Sequence, residues 1–489
     1  MKPPFSSLDL EAFQLQRAGR LEEARATAER AIAQSGLCTP THALLASVLL
    51  RLGRASQART VVERALALTS GTPDAYDGLA YVSGALGSHE QASALYRRAA
   101  QLAPHTARFW YNLACAERSL GRLEAAEAAC NRAIGAEPAQ YPSYLLRSEL
   151  RVQSAEFNHV EELTRTLQQS GNDERARVFL GYALGKELDD LGRFDEAFEW
   201  FCVAARTRRG RLVYDVSVDE EKMRRISEVY PAVPRQSREP AAAGAPTDIF
   251  IVGLPRSGTT LVERILGALP EVSSNGETDN FSRALLAATP DETGADVFAR
   301  AARADPRQVG TNYHVRANPQ GASGAIIEKL PMNYLYIGAI HAALPAARIV
   351  WVRRAPLDSC FAMYRTLFGE AYPFSYDFTD LARYYVSWQA LMRHWRDHLG
   401  GQLCEVIYED LVREPERVGA RLARELGLTW QSQALAVERN TAVSLTASAS
   451  QIRRPIYGTS SGRWRHYRQH LQLLVHALRS RGVTLPEDA

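Results

Sequence analysis

The sequence predicts two architectures in one chain: an α-helical solenoid, then an α/β domain with a parallel sheet flanked by helices. Three observations predict this. Glycines recur every 34 residues through the first part of the chain, the mark of a stacked repeat. A stretch rich in Pro, Ala and Gly then breaks the rhythm. Beyond it, apolar strand-like runs lead through polar turns into amphipathic helices. At 489 residues the chain is too long for one hydrophobic core, so several domains are expected. The boundaries expected are a solenoid over 1–207, a linker over 208–247 and the α/β domain over 248–489.

With 46% apolar and 23% charged residues the composition is that of a soluble globular protein. A net charge of +3 gives no support to a nucleic-acid or membrane-surface partner. No apolar run approaches membrane-spanning length, and the first residues, MKPPFSSLDLEAFQLQ, hold no apolar core of a signal peptide. The six scattered cysteines are expected to be reduced and the protein cytoplasmic.

The repeat comes first in the chain. Gly19, Gly53, Gly87 and Gly121 are each followed at five residues by Ala24, Ala58, Ala92 and Ala126, and at twelve by Ala31, Ala65, Ala99 and Ala133. The pattern returns at Gly192 with Ala197 and Ala204, after a degenerate unit over 139–175. A glycine that ends one helix, and alanines that let two helices approach, make a helix–turn–helix unit. This segment resembles the tetratricopeptide repeat. The resemblance implies a concave face for a peptide or protein, here the acceptor of the reaction inferred below; a homodimer is left open. After Arg206 the rhythm stops, and PAVPRQSREPAAAGAPT reads as linker. The arginines at 206, 208, 209 and 211 read as a solvated turn.

The α/β domain opens with DIFIVGLPRSGTTLVERILGALPEV: a buried strand, a glycine-bounded loop and a helix N-terminus. Converging backbone amides and the helix dipole make such a junction an anion site. Gly253 and Gly258 have the spacing of a nucleotide-triphosphatase loop, but Thr259 stands where that loop has its lysine. Arg256, Ser257, Gly258, Thr259 and Thr260 remain as phosphate donors. A second strand, RIVWV, runs into Arg354, and VIYEDLV carries Tyr408. Near the end, TASASQIRRPIYGTSSGRWRHY supplies Ser448, Gln451, Arg454, Arg463 and Trp464.

These ordered motifs resemble the sulfotransferase superfamily over 248 to about 475, most closely the tyrosylprotein sulfotransferases and bacterial repeat-bearing sulfotransferases. The resemblance implies that 3′-phosphoadenosine 5′-phosphosulfate is the sulfuryl donor, with PRSGTT as its 5′-phosphosulfate loop. Arg354, Tyr408, Ser448, Gln451, Arg454 and Arg463 are then donor-binding residues. The family's serine eight residues beyond the arginine is here Ala362, for which Ser359 or Arg365 would have to compensate.

Sulfuryl transfer needs an in-line acceptor, charge stabilisation and a base for the acceptor proton. Glu277, 21 residues after Arg256, matches the family's catalytic glutamate, with a structural ion-pair role as the alternative; His314 is the next candidate base. Lys329 ends the apolar run AIIEK in a domain otherwise dependent on arginine, and with Ser448 and Arg256 it completes the expected catalytic group. No metal is expected. The function expected is transfer to a hydroxyl, a peptide tyrosine foremost. A kinase-like phosphate-loop enzyme and a repeat scaffold with an inactive sulfotransferase domain are the rival readings.

Overall fold

The computed structural model describes residues 7–488, apart from 36–38, 69–70, 232–247, 292–295, 319–320, 322, 441–442, 444–454, 457 and 459. It divides into two compact units, Met1–Ala183 and Leu184–Ala489. No described helix is long and apolar enough to cross a membrane.

The first unit is a series of helix pairs: α1 (Ser7–Arg17) with α2 (Leu21–Ser35), α3 (Thr39–Arg51) with α4 (Ala55–Leu66), α5 (Pro73–Ala85) with α6 (His89–Leu102), and α7 (Ala107–Leu120) with α8 (Leu123–Ala136). The degenerate pair α9 (Tyr141–Glu149) and α10 (Val160–Gln169) follows, and α11 (Glu174–Asp190) runs on into the second unit. Each of the four regular turns holds its glycine at φ between +75 and +82°, a region closed to most side chains. Gly121 shows why: it caps α7, donating its N–H to Arg118 O and Glu117 O. The alanines at both repeat offsets are at most 3% exposed, so each lies where two helices meet.

The second unit opens with α12 (Phe194–Gly210) and α13 (Val216–Val229). The repeat pattern at Gly192 survives as a helix pair, but the compact unit that holds α12 is the second one. The stretch 208–247, expected as linker, includes α13, whose Glu220 takes both arms of Arg383, the closer at 2.5 Å. The arginines expected in a solvated turn are bound as well. Arg209 reaches Asp380 at 2.8 Å and Arg208 donates to Gly369 O. Sequence periodicity reports the helix pair, not the surface on which it packs.

The sheet follows. Its strands are β1 (Asp248–Gly253), β2 (Val272–Ser274), β3 (Ala325–Lys329), β4 (Arg348–Arg353) and β5 (Leu403–Ile407). They are all parallel, in the order β2-β3-β1-β4-β5. The connecting helices are α14 (Thr259–Leu266), α15 (Asn280–Ala288), α16 (Val297–Ala302), α17 (Pro306–Ala317), α18 (Ile337–Ala343), α19 (Pro356–Tyr364) and α20 (Phe378–Leu399). After β5 come α21 (Tyr408–Arg413), α22 (Pro415–Leu426) and α23 (Gln472–Arg479). Strand alternation divides the side chains between two faces. Ile249, Ile251, Ile327, Val350 and Val352 pack with Val262, Ile265 and Leu422 of α14 and α22. On the other face Phe250 meets Phe281 and Tyr313, and Trp351 meets Trp388 of α20. Both faces are covered, which is why the strands read as near-continuous apolar runs.

Candidate active site

The carboxyl ends of parallel strands flanked by helices are where such sheets bind ligands. Here β1, β3, β4 and β5 deliver, in turn, the loop 254–258, Lys329, Arg354 and Tyr408.

The loop after β1 is tightly built. Arg256 has φ +64° and Gly258 φ +103°, so two residues in the left-handed region fold the chain over the start of α14. A side chain on Gly253 would meet Val352 O at 2.7 Å and Ser257 Oγ at 2.8 Å; one on Gly258 would meet the Tyr408 ring at 2.4 Å. Both glycines therefore serve close approach as well as turning. Ser257, Thr259 and Thr260 are 1%, 4% and 6% exposed. Ser257 Oγ is buried with no hydrogen-bond partner, a donor left over at the N-terminus of a helix. That leftover donor and the first-turn amides fit a bound phosphate group.

Arg354 is held from two sides. It donates to Arg256 O at 2.8 Å and to Ser460 O at 2.5 Å, and its guanidinium lies 4.9 Å from the centre of the Tyr408 ring. Tyr408 Oη and Ser460 Oγ share a hydrogen bond of 2.6 Å. Arg354, Tyr408, the phosphate loop and the segment at 460 are thus one assembly. Asp358 pins the same segment by accepting from Gly462 N at 2.7 Å.

Lys329 is the last residue of β3, pairs in register with Ile251, and is fully buried. Its ammonium contacts Glu277 Oε1 at 2.5 Å and Glu263 Oε2 at 3.4 Å. Glu263 comes from α14 and also accepts from Ser274 Oγ at 2.7 Å. A buried ammonium is tolerable only when paired in this way. Glu277 keeps 31% of its side chain exposed, so the pair has one solvent-facing member.

The structure brings together Arg256, Ser257, Gly258, Thr259, Thr260, Arg354 and Tyr408 in one group, and Lys329 with Glu277 in another. Arg463 has a different partner. It makes three bonds to the Asp189 carboxylate, the closest at 2.6 Å, which also takes Arg365 at 2.6 Å and the hydroxyl of Tyr467. Burial alone would raise the Asp189 carboxyl, but the charges of Arg365 and Arg463 outweigh it and hold the group below its ordinary value. Ala362 is buried in α19, and Ser359 Oγ turns back toward Arg354 O at 3.5 Å. Ser448, Gln451 and Arg454 lie outside the described residues.

His314, the alternative base, is misplaced for that role. It meets Asp248 Oδ2 at 3.0 Å, at the first residue of β1, whereas the loop follows its last. Glu263, Ser460, Asp358 and Asp189 are additions that no motif signalled. Glu263 could have been suspected, because a carboxylate in the first helix after a phosphate loop needs a cation.

Residues 246–432 match the model of the sulfotransferase family, and residues 14–75 and 78–143 match that of the tetratricopeptide repeat. The second unit therefore carries a sulfotransferase-family domain and the first a repeat array. An uncharacterised protein of Aquifex aeolicus (strain VF5) is 27% identical over 356 residues, covering 69% of this chain and 46% of that protein. The chain thus spans about half of that relative's length. A Caenorhabditis briggsae protein, provisionally named a protein-tyrosine sulfotransferase, is 26% identical over 198 residues, 38% of this chain and 68% of its own. Among solved structures, the sulfotransferase domain of the Synechococcus PCC 7002 olefin synthase is 16% identical and covers 51% of this chain and 100% of that domain, with a TM-score of 0.37. YrrB, a repeat protein with an unusual peptide-binding site, is 17% identical and covers 38% of this chain and 87% of its own, with a TM-score of 0.26.

Proposed function

We propose that this protein transfers the sulfuryl group of 3′-phosphoadenosine 5′-phosphosulfate to an acceptor hydroxyl, that of a tyrosine in a peptide. The observation that carries the reading is Lys329. It is a fully buried ammonium at the carboxyl end of β3, clamped between Glu277 and Glu263 beside a phosphate loop without the triphosphatase lysine. The donor, when bound, supplies an activated sulfuryl group on a phosphate leaving group.

The chain's own residues then divide the work. The loop amides, Ser257 and Thr259 to Thr260 hold the 5′ end, while Arg354 takes the 3′-phosphate by charge-assisted bonds. The Tyr408 ring, already packed on Gly258, gives a flat wall beside that arginine. Glu277 presents Oε1 to Lys329 Nζ, which leaves Oε2 to accept the proton of the acceptor hydroxyl. Lys329 both orients that base and stands as the donor to charge developing on the transferring group. Glu263 is the second anchor that stops the ammonium following Glu277 away. Ser448, Gln451, Arg454 and Arg463 complete the donor site in this reading. Arg463 must then share its guanidinium between Asp189 and a phosphate.

A peptide acceptor is supported by the name of the Caenorhabditis relative and by the repeat array, since repeat surfaces of this kind take extended segments. A polypeptide held on the repeats would raise the effective concentration of its tyrosine.

The test is transfer of radiolabelled sulfuryl from the donor to a tyrosine peptide by full-length protein, with calorimetry of adenosine 3′,5′-bisphosphate and ATP. Glu277→Gln is expected to lower turnover by roughly two orders of magnitude with bisphosphate affinity nearly unchanged. Equal or tighter binding of ATP, which lacks a 3′-phosphate, would overturn the reading.

A further inference from the structure

Arg354 begins a closed chain of contacts. Its guanidinium donates to Ser460 O at 2.5 Å. Two residues further on, Gly462 donates its N–H to Asp358 Oδ2 at 2.7 Å, and Trp464 donates its own to Asp358 Oδ1 at 3.5 Å. Asp358 lies in the first turn of α19, just beyond Arg354, so the ring closes at the strand end where it began. Gly462 and Trp464 flank Arg463, whose side chain is held separately by Asp189 at 2.6 Å. What Asp358 fixes is therefore backbone.

The local chain explains why a carboxylate is needed there. Arg463–Tyr467 is a short 3₁₀ turn with Gly462 as its N-cap, at φ +75°. The first amides of such a turn have no partner within it, and glycine has no side chain with which to cap them. Asp358 supplies the cap from another helix. Its side chain is buried, as is Trp464, so removing the carboxylate would leave both amides short of an acceptor. Phe361, one turn along the same face of α19, meets the Tyr467 ring at 4.4 Å. The 3₁₀ turn is thus fastened to α19 at both of its ends.

Arg354 depends on this fastening. Two carbonyls fix its guanidinium, Arg256 O in the phosphate loop and Ser460 O. The second stays in place only while the turn that follows it is held.

We propose, on the donor reading above, that Asp358 is a positioning residue that sets the preference for a 3′-phosphate by holding Ser460 O where it aims Arg354. Asp358 itself does not touch the donor. Without it the guanidinium is tethered from one side only, while the loop after β1, which takes the 5′ end, is unchanged.

The test is titration calorimetry of the full-length protein with adenosine 3′,5′-bisphosphate and with adenosine 5′-monophosphate, which lacks only the 3′-phosphate. The unaltered protein should bind the bisphosphate about tenfold more tightly or better. Asp358→Ala should weaken the bisphosphate about tenfold and the monophosphate by less than about twofold. Asp358→Asn keeps one oxygen for Gly462 and should weaken the bisphosphate by only about threefold. In an Arg354→Ala background, Asp358→Ala should cost less than about a further twofold, because the residue it positions is gone. Equal losses on both nucleotides, no loss on either, or losses that multiply with Arg354→Ala overturn the proposal. Should Asp358→Ala bind neither nucleotide, the asparagine variant decides by the same criteria. An unaltered protein with no preference for the bisphosphate fails the donor reading, and this inference with it. A preference that survives Asp358→Ala fails this inference alone.

Discussion

Glu328→Gln should make the second unit more stable, and the gain should grow with pH. Glu328 precedes Lys329 but faces the other side of β3, beside Phe250, with no exposed surface. Burial pushes its carboxyl up from 4.5 to about 7. Hydrogen bonds pull the other way, the Phe281 amide at 3.2 Å among them, and do not offset the burial. The sign follows from proton linkage. The folded state binds the proton more tightly than the unfolded chain, so the native state is favoured below about 4.5 and loses stability as pH rises toward 7. A shift of this size corresponds to about 3 kcal/mol, since one unit is about 1.4 kcal/mol. Glutamine keeps an oxygen for the Phe281 amide and never ionises. The two proteins should therefore differ by about 1 kcal/mol at pH 5, where the unfolded carboxyl is already mostly ionised, and by about 3 kcal/mol in favour of the variant at pH 8. Urea unfolding at pH 5, 6, 7 and 8, with both unit transitions resolved, gives the difference directly. A difference that does not change with pH, or a variant less stable at pH 8, would refute the reasoning.

Two further substitutions address the donor side. Gly258→Ala places a methyl group against the Tyr408 ring at a φ of +103°, so it should cost roughly 1–3 kcal/mol of stability and weaken bisphosphate at least tenfold by calorimetry. Rescue of that affinity by Tyr408→Ala would show that the ring does not contribute to binding. Asp189→Asn leaves Arg365 and Arg463 without their shared carboxylate and should cost about 2–4 kcal/mol at pH 7, somewhat less than a fully buried pair because both guanidinium groups keep solvent. The depressed carboxyl makes the native protein lose this contribution only as pH falls below about 4, so the gap between the two proteins in denaturant titrations should close in acid.

Much of the fold was legible because the chain repeats the same physical requirement. A left-handed turn accepts glycine and little else, and a helix–helix contact at closest approach accepts alanine, so a 34-residue period was visible without any structure. The strands were legible because helices cover both faces. Lys329 stood out because it ends an apolar strand-like run in a domain otherwise dependent on arginine. What escaped was long-range partnership. Asp189 and Arg463 are 274 residues apart, and nothing local to either announces the other. Glu263 lies in a short helix after the phosphate loop, and only β3 brings Lys329 against it. The sixth unit misled for the same reason, since its glycine and alanines describe how α11 meets α12, while the contacts of α12 and α13 decide which unit they join.

The two charged clusters, each completed by a partner that local reading missed, have opposite imbalances. At Lys329 one ammonium faces two carboxylates, Glu277 and Glu263; at Asp189 one carboxylate faces two guanidinium groups, Arg365 and Arg463. An isolated pair in either place would be neutral and could do little beyond hold the fold. A spare carboxylate beside a lysine is what proton removal from a hydroxyl requires, because the ammonium can fix one carboxylate while the other serves as base. A spare guanidinium beside an aspartate is what phosphate binding requires, because the first can be held in place while the second is offered. Replacing Glu263 rather than Glu277 separates these roles. If Glu263 is only the anchor, its loss should let Lys329 follow Glu277, so that the ion pair survives while the positioning that makes it productive is lost.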